Sequence, residues 1–162
     1  MKQSQHFCVT DVFLENELGE ILMIKRNKDK EVLPNVYNGL GGKFESGETP
    51  LQAILREASE EAAVSNIKNL QLKANLSVKD KFGFWQIYIF YGRVKKEDVE
   101  IKDNSEGMLE WIPKDKMSNY DLTPDTKYWL PEMLAKPETF QFVKAEYDDN
   151  YKLLDIKIES LS

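Results

Sequence analysis

Three glutamates, Glu57, Glu60 and Glu61, lie in the stretch "NGLGGKFESGETPLQAILREASEEAAV", Asn38 to Val64. On a helix their spacing of three and four residues places all three side chains within roughly a 100° arc, able to converge on one point. Left unneutralised, each such like-charge pair costs a helix about 0.2–0.5 kcal/mol. A hard divalent cation prefers oxygen ligands and would remove that cost. The bland alternative is a solvated helix face, where glutamates usually sit. Taken alone, the cluster points to a bound divalent cation.

The surrounding residues supply the elements that would hold such a cluster. Thr49 is placed to cap a helix and Pro50 occupies the first helical position, where proline is best tolerated. Leu51, Ile54, Leu55, Ala58 and Ala62 recur at helical spacing and predict a core-facing stripe beside the glutamate arc. Before the helix, Gly39, Gly41 and Gly42 predict a backbone able to approach a ligand closely. Upstream, "HFCVTDVFLENELGEILMIKR" reads as two strands around a turn at Asn16–Gly19. A polar loop pinned by Pro34 follows. Downstream come strand-like "NLQLKANLSV" and "FGFWQIYIFYGRV", the second apolar enough to be central and covered on both faces. "MLEWI" predicts a short strand and "PDTKYWLPEMLAK" a helix that Pro131 would kink. "TFQFVKAEY" and "YKLLDIKIES" predict a closing hairpin around Asp148–Asn150. Mixed strands with two separated helices imply an α/β sandwich.

At 162 residues, with 41% hydrophobic and 31% charged residues, the chain reads as one globular domain spanning 1–162. The net charge of −6 argues against a nucleic-acid polymer as partner, since acidic surfaces repel phosphate backbones. A small phosphorylated ligand stays open if a cation or a local basic patch mediates contact. The single cysteine, Cys8, rules out an internal disulfide. The start, "MKQSQHFCVT", has no signal-peptide core, and the most apolar run, Phe82 to Tyr91, is half a membrane span. The expectation is a cytoplasmic protein with no membrane partner, monomeric or homodimeric. His6, the lone histidine, reads as structural, and Cys8 shows no pattern of a thiol nucleophile.

Gly42, Glu48, Arg56, Glu57, Glu60 and Glu61 stand in the order G-x5-E-x7-R-E-x-x-E-E. At residue frequencies near those of average proteins, such a match arises by chance on the order of once in 10⁷ starting positions. The order resembles the signature of the Nudix hydrolases, G-x5-E-x7-R-E-U-x-E-E-x-G-U with U a bulky aliphatic, here spanning 42–64. Ala58 stands at the first U and Ala63 where the family has glycine. A left-handed residue there costs alanine about 1–2 kcal/mol, so the helix is expected to run on and stop at Asn66. The resemblance implies the Nudix fold, an α/β/α sandwich with a mixed central sheet. It implies Mg²⁺, with Mn²⁺ as the alternative, held by Glu57, Glu60, Glu61 and the Gly41 carbonyl. Glu57 is the expected general base and Glu106 its rival, with Arg56 orienting Glu57, joined by Glu48.

"YNGLGGKFESGET" resembles the same loop of the MutT-type 8-oxo-dGTP diphosphatases, the oxidised purine nucleoside triphosphatases included. "SEGMLEWI", "LTPDTKYWLPEML" and the closing hairpin extend the likeness over most of the chain. It implies that Asn38 bonds the purine and that Asp125 meets its Watson–Crick edge. Lys43 would contact phosphate, and Lys25 and Arg26 would add local positive potential. The chain departs from that group at Thr123 and Thr126, which replace a stacking tryptophan and a base-reading aspartate. Phe44, Trp85 and Trp129 are the rings available to compensate, each with core packing as its ordinary role. The implied reaction is cleavage of a nucleoside triphosphate, such as 8-oxo-dGTP, to monophosphate and pyrophosphate. ADP-ribose or a dinucleotide polyphosphate as substrate, or a sensing domain that binds nucleotide without cleavage, are the alternatives.

Overall fold

The computed structural model describes residues 4–103 and 105–162. The expected first hairpin forms: β1 (Gln5–Glu15) and β2 (Glu20–Arg26) meet at a turn where Asn16 Oδ1 accepts the N–H groups of Leu18 and Glu20 at 2.9 and 3.0 Å. These strands pair only at Leu14↔Leu22 and Glu15↔Ile21 and then part. Beyond the fork, β4 (Leu40–Lys43) takes over the edge of β1, with Thr10 opposite Gly42 and Asp11 opposite Gly41. β2 instead continues with β3 (Tyr37–Asn38) and β7 (Gly107–Pro113). The other edge of β1 runs parallel to β6 (Gly83–Arg93), which pairs with β5 (Lys68–Asp80). Then come β8 (Phe140–Tyr147) and β9 (Leu153–Leu161), the expected closing hairpin. The result is one mixed sheet with helices α1 (Pro50–Ala62) and α2 (Thr126–Ala135), the α/β/α arrangement.

Two-sided burial explains the apolar runs "VFL" and "ILMI". Val12, Leu14, Leu22 and Ile24 enter a core with Ile54, Ala58 and Ala62 of α1. Phe13, Ile21 and Met23 enter the opposite core with Trp129, Leu130 and Met133 of α2. Successive strand residues alternate faces, so each run feeds both layers. Strand β6 is central by pairing, but its outer half does not match the expected two-sided cover. Phe84 is 41% exposed, and only Ile89 and Phe90 in that strand are buried apolar side chains.

Thr49 caps α1 as expected, in a reciprocal capping box with Gln52. The expected stripe needs correction: Ala53, Ile54, Ala58 and Ala62 are buried, whereas Leu51 and Leu55 are 49% and 44% exposed. The narrow contact with β1 and β4 admits small residues at its centre and leaves the flanking leucines outside. The helix also ends earlier than expected. Ala63 takes the left-handed conformation at φ 54, its N–H reaching the carbonyls of Ala58 and Ser59. Val64 is then free to turn inward and is buried at 3% exposure, a contact a longer helix would lose. Thus alanine bears a conformational cost that glycine avoids. Ala63→Gly is expected to stabilise the protein by about 1 kcal/mol, a rise of about 2–4 °C in unfolding midpoint. An unchanged or lower midpoint in a thermal melt would refute that account.

Candidate functional site

The fork between β2 and β4 opens onto a cavity of about 560 Å³ on the α2 side of the sheet. Its floor follows alternate residues of β1, Phe7, Val9 and Asp11, beside Trp85 and Ile87 of β6. Gly41 and Gly42 form part of the wall, and Glu61 reaches the same space from the end of α1. The glycines are required for that approach. A Cβ on Gly41 would stand 1.8 Å from the Thr10 carbonyl oxygen, and one on Gly42 would stand 2.5 Å from Glu57 Oε1. Gly41 also donates its N–H to Glu61 Oε2 at 3.2 Å.

Arg56 organises the remaining carboxylates. Its Nε and Nη2 grip Glu48 at 2.6 and 3.0 Å, while Nη1 holds Glu57 Oε1 at 2.8 Å and Glu60 Oε2 at 3.3 Å. Nη2 further reaches the Lys43 carbonyl at 3.2 Å. The Arg56 bond holds the Glu48 carboxyl below its usual range. The two-nitrogen grip of the arginine thus falls on Glu48, and Glu57 receives a single bond. The expected convergence of three glutamates on one point is not formed. Among the described residues no three acidic, histidine or cysteine side chains close on a common ion position. Arg56 draws Glu57 and Glu60 to itself, Gly41 draws Glu61 inward, and the Glu60 side chain is 57% exposed.

The electrostatics nevertheless fit a cation. Burial first, then repulsion by Glu57 and Asp11, pushes the Glu61 carboxyl up to about 8. Asp11 is pushed up to about 7, again by burial first and then by Asp125 and Glu57. The nearby side-chain acceptors are oxygens, the ligand type that hard divalent cations take.

The other sequence candidates occupy the cavity in different ways. Asn38, Lys43 and Glu106 line it, Glu106 paired to Lys30 at 3.0 Å with its side chain 53% exposed. Asn38 Oδ1 accepts the Gly39 N–H, and Lys43 Nζ lies 4.7 Å from the centre of the Phe7 ring and 5.6 Å from that of Trp85. Arg26 lines the cavity too, but its Nε and Nη2 hold the carbonyls of Val32 and Leu33, bracing the loop. Lys25 is turned toward the Tyr37 ring. Asp125 is nearly buried: Tyr147 donates to Oδ1, and Trp129 Nε1 donates to Oδ2 at 2.9 Å. Trp129 is therefore core, and Phe44 packs on Tyr88 away from the cavity lining. Trp85 is the ring of the three that reaches the cavity. Sequence reasoning missed Asp11, Tyr147 and Tyr151, which also line it. The signal for Asp11 was available: it is the one charge inside the apolar strand "FCVTDVFL".

The NUDIX domain family model matches residues 6–133, most of the chain. The chain belongs to the Nudix family. Over 110 residues it is 30% identical to an uncharacterized Nudix hydrolase of Listeria innocua, a match covering 67% of this chain and 64% of that protein, under two thirds of its length. It is 27% identical over 133 residues to the oxidized purine nucleoside triphosphate hydrolase of Mus musculus, covering 74% and 78%. Its Nudix fold superposes on the crystal structure of a MutT protein from Bacillus halodurans with a TM-score of 0.80 at 22% identity, covering 94% and 97%. No helix among the described residues is long and apolar enough to cross a membrane.

Asp11 and Glu61 bind more protons in the folded chain than when unfolded over the interval between their ordinary carboxylate values and about 7 and 8. Metal-free stability therefore falls as pH rises through that interval. Carboxyls held below their usual range, such as Glu15 and Glu48, are already ionised above about pH 5 and do not mask the trend. The unfolding midpoint of metal-free protein is expected to drop by about 5 °C or more between pH 5 and pH 8. Mg²⁺ should restore it at pH 8 and have little effect at pH 5. A midpoint independent of pH, measured by differential scanning calorimetry with chelator present, would contradict the assignment.

Proposed function

We propose that this chain is a divalent-metal-dependent pyrophosphohydrolase that cleaves a purine nucleoside triphosphate, preferentially one with an oxidised base, to the monophosphate and pyrophosphate. The observation that carries the reading is the continuity of one cavity, from Glu61, Gly41 and Glu106 to Asn38, Asp125 and Trp85. Its volume of about 560 Å³ lies within the range of small-ligand sites. Acids at one place and rings with hydrogen-bonding groups at another match the two parts of a nucleotide. The similarity to the mouse enzyme, whose name specifies oxidized purine nucleoside triphosphates, supports the same reading.

Glu57, Glu60, Glu61 and the Gly41 carbonyl would hold Mg²⁺ or Mn²⁺. Bound there, the cation supplies charge neutralisation of the polyphosphate and a polarised water. Arg56 fixes Glu57 through Oε1 and leaves Oε2 to accept the proton of the attacking water. Glu106, half-exposed at the cavity, is the competing base. Lys43 places a positive charge at the wall for phosphate. Asn38 offers its amide N–H groups to the purine because its oxygen is already engaged by Gly39. Asp125 is fixed by Tyr147 and Trp129 and meets base N–H donors with its remaining lone pairs. Asp11 provides a second carboxyl from β1, where Thr126, buried at the start of α2, provides none.

Pyrophosphate release with Mg²⁺ should show kcat/KM for 8-oxo-dGTP at least about tenfold above dGTP, pyrimidine triphosphates and ADP-ribose. Glu60→Gln should lower turnover by at least about a hundredfold. Preference for ADP-ribose or a pyrimidine would overturn the substrate, and nucleotide binding without turnover would overturn the enzyme. In the same assay Asp11→Asn is expected to reduce purine kcat/KM about tenfold. An unchanged value would remove Asp11 from the site.

A further inference from the structure

Two residues that line the cavity each carry a polar atom without a hydrogen-bond partner. Trp85 Nε1 and the Tyr151 hydroxyl are both buried as atoms, and neither has a partner among the described residues. Both side chains line the same cavity as Asp11, Asn38 and Asp125. Buried donors are nearly always satisfied, and an orphaned one is destabilising, so two in one cavity require a cause.

The backbone shows how firmly these rings are placed. Trp85 sits between Phe7 and Val78 in the strand register and stacks on Phe7, ring centres 4.2 Å apart and planes 26° apart. Lys43 lies over that pair. Tyr151 comes from the turn between β8 and β9 and adopts φ 59, a left-handed conformation that asparagine or glycine takes at lower cost. Its ring lies against Phe82, with Lys81 over both. Both side chains also pack on the edge of the α2-side core. They are held in place without their polar atoms being used.

An aromatic wall with two unused donors, set in a cavity that the carboxyls of Asp11 and Asp125 also line, selects a flat ligand with acceptors as well as N–H donors. A guanine oxidised at C8 has this character. Its N1–H and amino group are donors, while carbonyl oxygens at C6 and C8 flank the opposite edge. We infer that Trp85 Nε1 and Tyr151 OH donate hydrogen bonds to the carbonyl oxygens of the bound base, and that these two residues determine specificity for the oxidised purine. The inference rests on the purine reading of the preceding subsection and assigns the stacking and selection lost at Thr123 and Thr126 to β6 and the last hairpin.

Tyr151→Phe, Trp85→Phe and the double variant, assayed on 8-oxo-dGTP and dGTP with Mg²⁺, test it. Each single variant should raise KM for 8-oxo-dGTP about tenfold with kcat within about twofold of the wild type. The double variant should lose most of the preference over dGTP, which lacks the C8 carbonyl. Tyr151→Phe retains the ring and should leave the unfolding midpoint of the ligand-free protein unchanged or higher, because it removes an unpaired buried hydroxyl. It decides the matter if Trp85→Phe folds poorly. Active variants with unaltered KM, equal losses on both substrates in the double variant, or a lower midpoint for Tyr151→Phe would overturn the inference while leaving the purine reading standing. A wild type that hydrolyses no purine triphosphate would overturn that reading and this inference together.

Discussion

The rest of the site depends on a crowding of like charge: Asp11, Glu57 and Glu61 brought close to two glycines with too few cations among them. Arg56 offsets Glu57, but Asp11 and Glu61 remain enclosed and are driven toward the protonated state. Such a cluster is unfavourable for the folded chain alone. A divalent cation taking the place of those protons would make it favourable. Gly41 is the geometric condition, since a side chain there would collide with the β1 backbone and the Asp11 carboxyl.

The fork in the sheet converts this constraint into a cavity. Strand β1 is shared by β2 at one end and β4 at the other, and the gap exposes alternate β1 residues on the α2 side. The same alternation that sends Val12 and Phe13 to opposite cores puts Asp11 in the cavity with Val9 and Phe7. The glutamates are carried by a helix on the other side of the sheet, so the glycine strand is where the two layers communicate. Carboxylates from one layer and aromatic side chains from the other meet at one cavity.

The glutamate helix was legible because its pattern is local: cap, proline, apolar spacing and charge spacing lie within one short stretch. The hairpins were legible for the same reason. What sequence concealed arises between distant segments. Nothing near Trp85 announces that Phe7 and Val78 flank it, or that the turn carrying Tyr151 folds back to the same cavity. Asp125 could be placed but not its engagement by Tyr147 and Trp129, which come from β8 and α2. The exposure of Leu51 and Leu55 reflects a helix seated on a narrow patch, a width set by the tertiary contact. At Ala63 local propensity argued for a longer helix, and the burial of Val64 prevailed.

The central claim is that the enclosed carboxyls await a cation, and counting protons tests it most directly. Isothermal titration of Mn²⁺ into the protein at pH 7, repeated in buffers of different ionisation enthalpy, yields the number of protons released per ion. With the Glu61 carboxyl raised to about 8, the account predicts saturable binding with about one proton released, falling toward zero at pH 9. Binding without proton release at pH 7, or no binding at all, would contradict it.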